Sequence, residues 1–406
     1  MTLKYLPIIL LLILSISSHA GGKLLIAGGA IASDNEALYK ALISHLPRNT
    51  SKLCIIPVAS GSPVKSANKF KQDLIRYGLN EKRICIIPLA VTDDNSTEFD
   101  ERKWKGNASD PAVLSQINDA EGFWFTGGDQ MRIVTSLYLD ERPTPLLVML
   151  NNKLKKGAII GGTSAGAAIM SESMIAAGDS FTALTQAQSN QYYGMESQEK
   201  GQLYLHKGLG FFPYGLVDQH FDRKARLGRL VRALSLQGVQ KGYAVDENTG
   251  MLVDLGENTL TVLGAGNVTL LDIGSAQVHR HPFSIQGASI SVLSSENIWN
   301  IKSNKLLSHA EGTKGKEYFD EPAYQGSGIA LANTRLNQLL GFELMDNKNT
   351  QEIRRYSFLE SGQGILYRFK KNNKSQGYWH ANGTLDQYTV THIQMDIEPV
   401  TITIKY

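Results

Sequence analysis

Residues Gly162-Thr163-Ser164-Ala165-Gly166 fit Gly-x-Ser-x-Gly, the turn that lifts a serine hydroxyl between a strand and a helix. Ile159, Ile160 and Gly161 lead into it, and Ala-Ala-Ile-Met follows in a pattern that reads as a helix. A serine becomes a nucleophile only beside a base within hydrogen-bond reach, a group that orients the base, and donors for the oxyanion. His220 is the candidate base. It closes the apolar run that ends in Asp218-Gln219-His220, just before a helical pattern with Leu227, Leu230, Val231 and Leu234 on one face. Polar groups at the end of a buried strand cost free energy unless they are used. For the orienting carboxylate, Glu172, Asp179 and Asp218 all stand near enough in sequence to be considered. The amide of Ala165 is the expected first oxyanion donor, and the Gly127-Gly128 strand end in "FTGGDQ" is the natural source of the second.

These residues need a scaffold that brings strand ends to one edge. Five short, continuous apolar runs occur in the first half: "KLLIAGG" from 23, "LCIIPVASG" from 53, "ICIIPLAV" from 84, "GFWFTGG" from 122 and "GAIIGGTSAG" from 157. Runs of this kind suggest strands buried on both faces. Stretches with helical spacing lie between them, such as "NEALYKALISHL" and "SANKFKQDLIRYGL". The alternation predicts an α/β fold, a mostly parallel sheet with helices on both faces. Ligands bind such sheets beyond the carboxyl ends of the strands, where most of these runs end in glycine or small polar residues. Further on, "TLTVLGAGNVTLLD" reads as a hairpin turned at 264–267. Residues 306–406 are polar, close on the alternating strands "YTVTHIQMDI" and "VTITIKY", and are expected to form a β-rich C-terminal extension packed on the catalytic domain at 21–305.

The N-terminus carries Lys4, an apolar run from Leu6 to Leu14 and a close on small residues up to Ala20, the pattern of a secretory signal peptide over 1–20. The run is about half of the roughly 20 residues needed to span a bilayer, so a secreted or periplasmic protein free of the membrane after cleavage is expected. Charged residues make up 19% of the 406, with a formal net charge of +3, so no basic surface argues for nucleic acid. Cys54 and Cys85, both in apolar runs, are expected as free buried thiols rather than a bridge. His279-Arg280-His281 has no third ligand nearby, and no paired Cys-x-x-Cys or His-Glu-x-x-His is present. Catalysis without metal or cofactor is expected.

Four segments, "FTGGDQMRI", "GGTSAGAAIM", "VDQHF" followed by several arginines, and "AVDENTG" at 244–250, occur together and in this order. In this the chain resembles the cyanophycinases, within the serine exopeptidase family that also holds the alpha-aspartyl dipeptidases. The likeness covers about residues 23–305, and the leader and C-terminal extension resemble those of secreted cyanophycinases. The resemblance implies hydrolysis of cyanophycin, a poly-aspartate with arginine on each side-chain carboxyl, to beta-Asp-Arg dipeptides. It implies Ser164 as nucleophile, His220 as base and, for the third member, Asp179. It also implies a pocket lined by Gln130, Asp218, Gln219 and Glu247, whose acidic groups would hold the substrate guanidinium. Lys224, Arg226 and Arg229 would face the substrate carboxylates, with Lys224 standing where the family commonly has Arg. A homodimer is compatible with this reading. The alternatives are an exported aspartyl dipeptidase of the same fold, and a binding protein that keeps the elbow as architecture only.

Overall fold

Period-two burial explains why the five apolar runs become strands. Along β1 (Lys23–Ala27), Leu24 and Ile26 join one apolar cluster while Leu25 and Ala27 join another on the opposite face. Strands buried on both faces need helices on both. In the computed structural model, which describes residues 21–308, 310–323, 335–382 and 385–403, they have them. On one face α1 (Glu36–Ser44) and α2 (Pro63–Arg76) contribute Leu38, Tyr39, Leu42, Ala67, Phe70 and Leu74. On the other, the helices Gln130–Leu137 and Pro145–Lys155 contribute Ile133, Leu137, Leu147 and Leu150. The expected leader at 1–20 lies outside the described residues.

The five runs are neighbours in one sheet. From the edge inward they are β3 (Ile84–Ile86), β2 (Lys52–Ile56), β4 (Ala120–Phe125), the Ile159–Thr163 strand and β1, all parallel. Beyond β1 the sheet continues antiparallel through Thr249–Asp254, Thr259–Gly264, Ile298–Asn300 and Lys305–Ser308. The parallel part thus ends at the first strand of the chain, and the C-terminal half of the domain supplies the rest.

A second sheet begins with Leu216–Gln219 parallel to Lys241–Val245, then runs antiparallel through Val268–Asp272, Phe283–Leu293, Leu385–Thr401, Gln363–Lys370 and Glu352–Phe358. Residues after 306 therefore do more than pack against the catalytic core. The Leu385–Thr401 strand pairs with Phe283–Leu293, with Ile290 opposite Ile393, so the C-terminal strands continue the sheet that carries the Asp218-Gln219-His220 segment.

Three expectations change here. Thr259–Gly264 and Val268–Asp272 are not a hairpin: the first belongs to the nine-stranded sheet and the second to the other one. The link between them turns at Gly264 (φ 99°), and Asn267 N–H donates to buried Asp246 while Gly266 N–H donates to Thr249 Oγ1. Those side-chain acceptors take up the amides that a hairpin would have paired. The closing "YTVTHIQMDI" and "VTITIKY" belong to one seventeen-residue strand as far as Thr401, not two. Cys54 and Cys85 form a disulfide rather than standing free. The parallel pairing of β2 with β3 sets Cys54 opposite Cys85, with Cα atoms 4.4 Å apart, within the range a bridge requires.

Candidate active site

Ser164 sits in a conformation that its neighbours impose. Its φ of 55° and ψ of −112° fall outside the ordinary regions for an L-residue, and its N–H donates to Ala27 O at 3.0 Å. The two glycines of the pentapeptide are there because of close approach. A Cβ on Gly162 would stand 2.5 Å from Gly166 O, and one on Gly166 would stand 2.5 Å from Phe125 O. The helix that follows is only Ala165–Ala168, with Ala165 N–H among the first amides that lack an intrahelical acceptor. Gly127 lies beside the serine, since a Cβ there would be 3.2 Å from Ser164 Cβ. Gly128 takes φ 141°, and a side chain on it would strike Ala59 O.

The candidate base comes from the other sheet. His220 follows the Leu216–Gln219 strand and itself has a positive φ of 48°. Its N–H donates to Gly28 O at 2.7 Å, which stitches the second sheet to the end of β1. The imidazole Nε2 is 2.9 Å from Ser164 Oγ, and Nδ1 is 2.6 Å from Glu247 Oε1. With the carboxylate accepting at Nδ1, the imidazole carries its proton there and offers Nε2 to the serine hydroxyl. Burial pulls the His220 pKa below its ordinary 6.5; the hydrogen bond to Glu247 opposes this, and the Lys224 and Arg226 charges add to it.

The carboxylate paired with this histidine is therefore Glu247, expected as a pocket residue, and Asp179 is not in that position. Asp179 caps the short helix Ser180–Thr185, accepting from Thr182 N–H and Oγ1 at 2.8 Å each and from Gly201 N–H at 2.7 Å. Its oxygens are committed locally. Glu247 lies two residues past the Lys241–Val245 strand, whose Val245 stands opposite Gln219, one residue before His220. Two apolar runs that both end in polar residues were the signal in the sequence; that the two are parallel neighbours was not.

Several residues expected to line a substrate pocket are inside the protein. Asp218 and Arg229 are each 1% exposed and form a two-point ion pair, Nη2 to Oδ1 at 2.5 Å and Nε to Oδ2 at 2.9 Å. Arg229 Nη1 also donates to Gly178 O and Gln198 O, while Arg226 Nη1 donates to Gln219 O at 2.6 Å. This network ties the strand before His220 to the helix Leu227–Gln237 and to the backbone at Gly178 and Gln198. It leaves these groups no free face for substrate. Gln130 is buried and donates to Ala176 O at 2.5 Å. Gln219 is buried too, and its Oε1 finds no partner among the described residues. Lys224 is ion-paired with Glu199 and partly exposed.

Two contributors escaped the sequence reading. Gly29 (φ 108°) runs under the imidazole so closely that a Cβ would stand 2.2 Å from His220 Cε1 and 2.3 Å from Nε2. Only glycine permits that approach. The second is a cavity of about 280 Å³ opening beside Ser164 and His220, walled in part by α1 and α2. Among the described residues no three His, Cys, Asp or Glu side chains converge as metal ligands.

The chain is similar to several known proteins. It is 33% identical over 210 residues to the cyanophycinase of Synechococcus elongatus, a match covering 50% of this chain and 59% of that one. It is 27% identical over 263 residues to the cyanophycinase of Geminocystis herdmanii, covering 63% and 84%. The chain thus spans about three-fifths of the length of the first of these relatives. Among solved structures, that of a peptidase from an acI-B1 Actinobacterium aligns over 62% of this chain and 91% of its own, with a TM-score of 0.44 and 20% identity. The model of peptidase family S51 matches residues 24–261, more than half of the chain and all of the Ser164, His220 and Glu247 constellation, and the chain belongs to that family.

Proposed function

We propose that this chain is an exported serine exopeptidase that hydrolyses cyanophycin to beta-Asp-Arg dipeptides through an acyl-enzyme on Ser164. The observation that carries the reading is the hydrogen-bonded line from Ser164 Oγ through His220 to Glu247, set on a strained elbow beside a cavity. Its similarity to cyanophycinases supports the substrate.

His220 Nε2 takes the Ser164 proton as Oγ attacks the backbone carbonyl between two aspartyl units, while Glu247 stabilises the imidazolium through Nδ1–H. The Ala165 amide and the Gly127-Gly128 segment lie where the oxyanion forms; loss of one such donor typically costs on the order of a hundredfold or more. His220 then gives its proton to the leaving amine, and water, deprotonated by His220, releases the acyl group. Export is supported by the signal-like leader and by the Cys54–Cys85 disulfide, which persists in oxidising compartments.

The test is incubation of the mature protein and of Ser164→Ala with cyanophycin granules, followed by mass spectrometry of the soluble products. The parent is expected to release beta-Asp-Arg and the variant none. Equal release by both would refute the scheme. Cleavage of ordinary aspartyl dipeptides with no release from the polymer would favour the aspartyl dipeptidase reading.

A further inference from the structure

One buried carboxylate beside the Ser164, His220 and Glu247 constellation has no role in the steps above. Asp246 is 3% exposed and follows the Lys241–Val245 strand, immediately before Glu247. Its oxygens meet donors alone. Oδ1 accepts from Asp222 N–H at 3.2 Å, and Oδ2 accepts from Asn267 N–H at 2.9 Å and from Asn267 Nδ2 at 3.2 Å.

The bonds to Asn267 serve the link between the two sheets, but the bond to Asp222 does something else. Asp222 lies two residues after His220, so Asp246 reaches from the turn that carries Glu247 to the turn that carries the imidazole. A return bond runs from Glu247 N–H to Asp222 Oδ1 at 3.4 Å. The backbone ladder between the two strands extends as far as Phe221 N–H donating to Val245 O at 3.3 Å; past that point these side chains take over the pairing. The other oxygen of Asp222 faces Arg335 Nε at 3.7 Å, so the C-terminal residues reach the same place. His220 and Asn248 both hold a positive φ, of 48° and 51°, which a non-glycine residue keeps only where its surroundings fix it.

We propose that Asp246 is a positioning residue for the His220–Glu247 pair, its carboxylate bracketing the two turns and so setting the 2.6 Å approach of Glu247 Oε1 to His220 Nδ1. It acts through those two side chains, and the inference rests on their roles in the proposed function. A carboxylate is the group this place requires. Every partner donates, so an amide here must turn its NH2 toward the N–H of Asp222 or of Asn267, whichever way it is set. The two turns then part, and a misplacement of about 1 Å in a catalytic constellation can cost about a hundredfold.

The test is a double-mutant cycle on the full chain, read by initial rates on soluble cyanophycin, with near-UV circular dichroism as the check on folding. Asp246→Asn should lower kcat by about 10- to 100-fold and leave KM within about threefold. Added to Glu247→Gln, it should cost less than about threefold more, because the pairing it protects is already lost. Full additivity, or parental kcat in Asp246→Asn, would overturn the assignment. The proton of His220 Nδ1 in its short bond to Glu247 supplies a second readout that needs no substrate, a far-downfield proton resonance identified by its loss in Glu247→Gln. Asp246→Asn should shift or abolish it, whereas a merely structural role would lower the unfolding temperature and leave the resonance in place. Asn267→Ala removes a single donor to Asp246 and stands in if Asp246→Asn does not fold: the resonance should move and kcat fall several-fold, and neither change would reject the bracket. Absence of polymer hydrolysis by the parent would reject the proposed function, while the resonance still decides the bracket.

Discussion

Replacing Glu247 by Gln removes one charge from the site and little else. In the proposed mechanism His220 takes the serine proton, and an imidazolium forms against the Glu247 carboxylate, whose Oε1 is 2.6 Å from Nδ1. Taking the charge centres as about 4 Å apart at an effective dielectric of about 20, their attraction is about 4 kcal/mol. Both side chains are largely shielded from water, His220 at 13% and Glu247 at 21% exposure, so solvent screening leaves most of it. At about 1.4 kcal/mol per decade, Glu247→Gln should lower kcat by about a thousandfold. The companion variant is Asp179→Ala, which loses a helix cap worth about 1 kcal/mol of stability and should keep kcat within about threefold. The assay is initial-rate release of beta-Asp-Arg from soluble cyanophycin, with thermal unfolding as a check on folding. Retention of more than about a tenth of kcat in Glu247→Gln would refute the reasoning. So would a folded Asp179→Ala variant that falls as far.

Gly29→Ala should cost at least about a hundredfold in kcat, because a Cβ 2.2 Å from the imidazole must displace the base; a variant with parental kcat would show that the ring does not need this place. Since burial holds the His220 pKa below 6.5 and the proposed reaction needs the neutral imidazole, the acid midpoint of kcat/KM should lie below 6.5. The acid midpoint should fall further in Glu247→Gln, where the opposing hydrogen bond to the carboxylate is gone; a pH–rate profile checks both. Cys54→Ser with Cys85→Ser opens a loop with a sequence separation of 31 and should cost about 3–4 kcal/mol in urea unfolding. Reducing agent should bring the parent to the variant's midpoint and leave the variant unmoved.

Local chemistry was legible in the sequence where local geometry decides it. The Gly162-Ser164-Gly166 spacing is itself the steric requirement of the elbow, and the five apolar runs announced buried parallel strands because their burial on both faces leaves no polar alternation. His220 could be singled out because three polar groups at the end of an apolar strand are costly unless used. What depended on pairing was not legible. Glu247 rather than Asp179 meets His220 because Leu216–Gln219 and Lys241–Val245 are parallel neighbours, and strand order is a property of the whole sheet. The same holds for Cys54 and Cys85, whose bridge follows from the register of β2 on β3. Asp218, Arg226 and Arg229 carry charges that read as substrate contacts in a sequence, yet tertiary packing turns them onto one another, because a buried ion is tolerable only when paired.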